Sequence, residues 1–279
     1  MLYNVQLHDR AGAPGHTTSK DGKDIAMTLP LDIRRANERF HTRAGWLDSH
    51  HSFSFSRHRD PANTHFGLLL VSNDDVVAPG TGFETHPHRD MEIITWVLDG
   101  NLVHQDSEGH NGVIYPGLAQ RMSAGTGILH SEKNDSWTLT GQPEHHDPVH
   151  FIQMWTIPDE SGIRPGYEQL DINDELALGG WTTLASGMPG HADQRAIGIR
   201  QKHAALHVAR IRPAETLEIA AAPFVHLFVA RGSAELEGAG ALATGDAVRI
   251  TGAEGQRVTG GPDGAEVLMW EMNAAISMT

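Results

Sequence analysis

Four residues of this chain have the types and spacing to hold a transition metal. His86 and His88 lie two apart in GTGFETHPHRDMEIITWVLDG, which runs from Gly80 to Gly100, and His130 and Glu132 lie two apart in MSAGTGILHSEKN. Residues i and i+2 of a β-strand point to the same face, so each pair can project together from one strand. Two such strands facing each other bring three imidazoles and a carboxylate to one point. Three neutral nitrogens and one oxygen suit a divalent first-row metal and leave coordination positions open. Glu92 shares the parity of His86 and His88, so an unbroken strand would aim it the same way.

Such ligands need strands to carry them, and the surrounding sequence is suited to strands. Of 279 residues, 39% are hydrophobic, only 20% are charged and 30 are Gly, which favours short strands and turns over long helices. SFSFS alternates and predicts a half-buried strand. FGLLLVSNDDVVAPG reads as an apolar strand, an NDD turn, a short strand and a Pro-Gly turn. EIITWVLDG, NLVHQDSEGHNGVIYPG, LAQRMSAGTGILHSEKN and HFIQMWTIP continue the series, with Trp96 and Trp155 expected in the core. The pattern is that of an all-β sandwich or barrel. Residues 1–30 are polar and predict an irregular arm. Residues 158–196 mix Pro, Gly and acidic residues and predict a connector with a short helix around Asp174 to Leu178.

The last third repeats the rhythm of the first. ITWVLDGNL matches HLFVARGSA, with Gly100 over Gly232, and YPGLAQRMSAGTG matches ATGDAVRITGAEG, with Gly117 over Gly245 and Gly127 over Gly255. The two halves thus read as copies of one β-fold. In the second copy Glu218 and Ala220 fall where His86 and His88 stand. Val258 and Gly260 fall where His130 and Glu132 stand, so no metal is expected there.

Composition excludes several function classes. With no Cys there are no disulfides, thiolate metal sites or cysteine nucleophiles. A formal net charge of -14 opposes unaided binding to a nucleic-acid backbone. No apolar run approaches the ~20 residues of a membrane helix, and MLYNVQLHDRAG lacks a basic segment followed by an apolar core, so a cytoplasmic protein is expected. The chain has 19 His, so chance pairs such as His50–His51 and His145–His146, and isolated His104, His110, His150, His203, His207 and His226, are assigned ordinary roles. Asp24, Asp60 and Asp159 read as solvated surface charges.

Gly80, His86, His88, Glu92 and Gly100, followed by Gly127, His130 and Asn134, resemble the two cupin motifs, with Gly125 in place of the usual proline. RRANERFHTRAGWLDSHHSFSF, FETHPHRDMEIITWVLDG, HQDS and SAGTGILHSEKN are more closely similar to the pirin family. That resemblance implies a bicupin: an arm over residues 1–32, a metal-binding cupin domain over 33–158, and a connector and metal-free cupin-like domain over 159–279. It implies one divalent metal per chain, usually iron, with manganese, nickel, copper and zinc as alternatives. The ligands implied are His86, His88, His130 and Glu132. The acidic ligand of generic cupins corresponds to Glu92, which here would stand behind Glu132, the expected base. The activity implied is quercetin 2,3-dioxygenase chemistry on a flavonol-like aromatic. The alternative is a metal- or redox-sensing protein that works through a protein partner, without turnover.

Overall fold

The computed structural model describes residues 31–276, so the expected arm, Asp24 included, lies almost wholly outside the described residues. The first half of the chain is two facing sheets. A four-stranded sheet runs in the order Gly82–His88, Ile128–Lys133, Leu102–Asp106, Asn111–Ile114. A seven-stranded sheet runs Gly166–Asp171, Leu118–Ser123, Glu92–Asp99, Val149–Thr156, Leu69–Val77, Leu47–His51, Phe40–Ala44. Pairing in both is antiparallel.

Strand alternation decides what each face of the seven-stranded sheet does. Thr95, Val97, Phe151 and Gln153 point between the two sheets. Ile94, Trp96, Leu98, Ile152 and Met154 point the other way, into a core shared with Leu206, Val208, Phe228, Leu268 and Trp270 of the second half. Both faces of Glu92–Asp99 are therefore covered, which is why EIITWV reads as a continuous apolar run. Trp96 donates its indole N–H to Glu266 (2.7 Å), and Glu266 also accepts from Arg210 (2.9 Å), so the buried polar tip of the ring is satisfied across the junction.

The second half repeats the design with one continuous nine-stranded sheet. Its long strands, Phe224–Leu236 and Arg257–Met272, pair with register shifts around Arg231 and Gly232. They bend there, and each serves both layers. Val225, Leu227, Val229, Leu236, Leu242, Val258 and Val267 fill the space between. The paired glycines occupy equivalent backbone conformations: Gly100 and Gly232 have φ of +76° and +71°, and Gly117 and Gly245 have +91° and +85°. These are left-handed turns that L side chains resist. Strand Thr216–Glu218 pairs with Arg257–Met272 much as Gly82–His88 pairs with Ile128–Lys133, but it brings Leu217 to Val258 where the first half brings His86 to His130. No sheet closes into a barrel among the described residues, and no helix there is long and apolar enough to cross a membrane.

Three local expectations need correction. SFSFS is not a strand: the ladder ends at His51, and Ser54 and Phe55 bond locally to Asn63 and His58. Phe53 goes into the junction beneath Arg249, while Phe55 turns to the opposite side. NDD is not a turn: Leu69–Val77 is unbroken, with Asn73 and Asp75 aimed between the sheets and Asp74 bonded to Arg39 and His150 on the opposite face, toward the second half. The connector is also more structured than its composition suggests. It contains helix Asn173–Leu178 as expected, but Gly166–Asp171 adds an edge strand to the first half by pairing with Leu118–Ser123. Conversely, Leu31–Arg34 pairs with Ala247–Thr251 in the second half. Arg35 and the Ala36 amide bind Asp246 just beyond that pairing (2.7 and 2.8 Å).

Candidate metal centre

The strand Gly82–His88 lies against Ile128–Lys133 with His86 opposite His130 and Phe83 opposite Glu132. That register contains one extra residue on the first strand, a bulge at Glu84–Thr85. Strict alternation would send Phe83 to the face opposite His86 and His88. The bulge puts all three on the inner side and leaves Glu84 and Thr85 exposed. The approach of the two strands is close at Gly82, where a Cβ would stand 2.2 Å from the Glu132 carbonyl oxygen.

His86, His88 and His130 come together, with ligand nitrogens all within 4.8 Å of one another. The Nδ1–H of His86 donates to the Glu84 carbonyl (2.7 Å), which turns Nε2 inward as a free lone pair. The Nε2 atoms of His88 and His130 are buried and have no hydrogen-bond partner. Orphaned buried nitrogens are costly, and two of them converging with a third imidazole fit a metal ion that accepts neutral imidazole. Burial, reinforced by the neighbouring imidazoles, pushes His88 and His130 down to about 3. Both are therefore neutral, as ligands must be.

Glu132 is 2% exposed and lies beside His130, within ligand range of His130 and His104. Its oxygens are held from the facing sheet: Gln153 Nε2 donates to both (2.9 and 2.8 Å) and the Thr95 hydroxyl to one (3.4 Å). Glu92 is not part of this group. The chain reverses between His88 and Glu92, with Asp90 at φ +47°, and Glu92 begins a strand of the other sheet. Parity does not carry across a reversal. The Glu92 carboxylate accepts from the Ser123 hydroxyl (2.9 Å) and the Arg200 amide (3.2 Å) at the junction of the halves, and burial raises its pKa. It does not line the cavity beside the histidines.

His104 is a site residue that its isolated position in sequence concealed. Its Nε2–H donates to Asp106 (3.2 Å), leaving Nδ1 to accept from His130 Nδ1–H at a long 3.5 Å. The chain Asp106–His104–His130 fixes the tautomer that frees His130 Nε2. Tyr167, on the edge strand Gly166–Asp171, stacks on His104 at 4.6 Å.

His86 and His88 open into a cavity of about 830 Å³ between the two sheets, lined also by Trp46, Phe55, Phe83, Asp75, Glu132, Gln153 and Trp155. Trp155 is thus a wall of the cavity rather than a core residue. It meets His88 edge-on at 4.8 Å, and its N–H is tied to Gln153 (3.0 Å). His51 also lines the cavity and is bonded to Asn73 (2.9 Å).

The buried imidazoles make a prediction for acid stability. His88, His130 and His226 are held near 3, against 6.5 in the unfolded chain. A depressed pKa contributes stability that is full above 6.5 and is lost as pH falls toward 3. Asp75, which burial raises to about 7, has the opposite sign: its contribution is present below 3.8 and lost as pH rises through 7. Three groups outweigh one. The metal-free protein should be less stable at pH 5 than at pH 7 by on the order of 3 kcal/mol. Urea denaturation at the two pH values checks this, and equal midpoints would contradict it.

Comparison with known proteins agrees with this architecture. The family model described as Pirin matches residues 33–156. A Mycobacterium tuberculosis protein provisionally named quercetin 2,3-dioxygenase is 56% identical over 250 residues, spanning 90% of this chain and 98% of that protein. An Escherichia coli protein named quercetin 2,3-dioxygenase is 51% identical over 137 residues, covering 49% of this chain and 56% of its own length. The crystal structure of the bacterial pirin YhhW from Escherichia coli in complex with nickel(II) has a TM-score of 0.77 at 36% identity, covering 88% of this chain and 100% of that one. With nearly the whole length of a close relative matched, and the fold with it, the chain belongs to the pirin family.

Proposed function

We propose that this protein is a metal-dependent dioxygenase that opens the ring of a flavonol such as quercetin, with His86, His88, His130 and Glu132 as metal ligands and iron as the metal. The observation that carries this reading is the cluster of three imidazoles, two with buried, unpartnered Nε2 atoms, of which His86 and His88 face an aromatic-walled cavity of about 830 Å³. That volume is in the range of small-molecule sites. A divalent ion bound there would supply Lewis acidity to an enolate oxygen of the substrate. The remaining work falls to the chain. Trp46, Phe55, Phe83 and Trp155 flank a flat ring and keep water from it. Glu132 takes the enol proton on a carboxylate oxygen, and Gln153 and Thr95 orient that carboxylate. Glu92, held at the junction, has no part in this chemistry. The names of the relatives from Mycobacterium tuberculosis and Escherichia coli support the substrate class.

The test is oxygen consumption by the purified protein loaded with iron and given quercetin, run in parallel with manganese, nickel, copper and zinc. Equimolar loss of oxygen and flavonol with at least one of these metals is the expected result. If no metal supports turnover, the enzyme reading fails and a metal-sensing protein acting through a partner takes its place.

A further inference from the structure

Asp75 lines the cavity with His86 and His88, yet the chemistry proposed above does not use it. It sits on Leu69–Val77 of the seven-stranded sheet, between Ser49 on one neighbouring strand and Phe151 on the other. The histidines project from the facing sheet. Asp75 is 3% exposed, and its Oδ1 has no hydrogen-bond partner. Arg39, whose charge reaches it, is bonded instead to Asp74 on the other face of the strand (2.9 Å). Nearby polar groups are occupied with one another: His51 bonds Asn73 through Nδ1 and Thr42 through Nε2, each at 2.9 Å. They stiffen the wall and leave the Asp75 oxygen open. A buried carboxyl oxygen left without a partner is a cost to the fold, and such groups are retained where a ligand completes them.

We propose that Asp75 forms a polar subsite that binds a phenolic hydroxyl of the substrate remote from the enolate. The subsite rests on the reading of the cavity as a flavonol site and names what its second wall recognises. A hydroxyl is the chemistry that suits it. Burial, opposed by the Ser49 hydroxyl and reinforced by repulsion from Asp74 and Glu132, raises the carboxyl to about 7. A hydroxyl can pair with either form, donating to the carboxylate or accepting from the acid. An ammonium group would require the anion alone.

The experiment compares quercetin with unsubstituted flavonol, which keeps only the enol hydroxyl. Binding to the metal-loaded full chain is read without oxygen, by quenching of tryptophan fluorescence from Trp46 and Trp155 in the cavity wall. Wild type should favour quercetin by about tenfold, the size of one hydrogen bond to an ionisable group. Asp75→Leu should weaken quercetin by about that factor and leave unsubstituted flavonol unchanged. Asp75→Asn, which still donates and accepts, should keep most of the preference. Thermal unfolding separates this from a structural role: Asp75→Leu should unfold no earlier than wild type. Equal weakening of both ligands, no weakening of either, no preference in wild type, or an earlier unfolding midpoint in both variants would overturn the proposal. If no flavonol is turned over, the dioxygenase reading fails, while the binding preference and its loss in Asp75→Leu still decide the subsite.

Discussion

His130→Ala is expected to strip the protein of its metal and, with it, of all flavonol turnover. His130 is central to the cluster. It faces His86 across the strand pair, lies 4.9 Å ring to ring from His88, and is held through Nδ1 by His104. Loss of an outer partner of a metal ligand commonly costs about 10–100-fold in affinity, so loss of the ligand itself should cost more than about 100-fold. Elemental analysis after dialysis should fall from one metal per chain to near none, while circular dichroism retains its strand signal. Full occupancy in the variant would show that the metal lies elsewhere. Two metals per wild-type chain would count against a single centre and against the apolar filling of the second half.

Glu132→Gln should separate chemistry from binding. Glutamine keeps the size of the side chain and an oxygen donor, but it takes up no proton at neutral pH. General-base contributions are commonly about 10²–10⁴-fold, and turnover should fall by that much while quercetin still binds anaerobically. The neighbourhood adds a condition. Gln153 Nε2 donates to both Glu132 oxygens. An amide at 132 offers it a single acceptor, so Gln153 must give up a bond or rotate. Metal content therefore has to be measured with the kinetics, since a displaced ligand would imitate a lost base. Full metal with near-normal turnover would leave prior ionisation of the flavonol next in line, because Glu92 is bonded away at the junction.

The three imidazoles were legible in sequence because each depends only on a local rule. His86 and His88 share one strand, and period two aims them together whatever the rest of the fold does. The duplication was legible because Gly100 and Gly232, and Gly117 and Gly245, mark turns that need glycine backbone. What was missed depends on tertiary context. The parity argument for Glu92 assumed a continuous strand, and the reversal at Asp90 ended it. Asn73-Asp74-Asp75 has the composition of a turn, but strands on both sides claim its backbone, and the cavity and Arg39 accept its side chains. Trp155 and Trp96 look alike in sequence. Their opposite parity on paired strands sends one to the cavity and the other to the junction. His104 did leave a trace, since Asp106 follows at i+2 and would share its face.

The two halves each hold a strand that belongs to the other's side of the chain. Leu31–Arg34 completes the edge of the second half, and Gly166–Asp171, beyond the first half's own series of strands, completes the edge of the first. During synthesis, the edge strand of the second half emerges before any of the sheet it will join. It must wait, unpaired, until Ala247–Thr251 follows near the far end of the chain. Such distant pairing raises contact order and slows folding. It also means that cutting the chain between residues 159 and 165 would not yield two independent domains. The pieces would remain interlocked, and unfolding of the intact protein should be a single cooperative event rather than the sum of two.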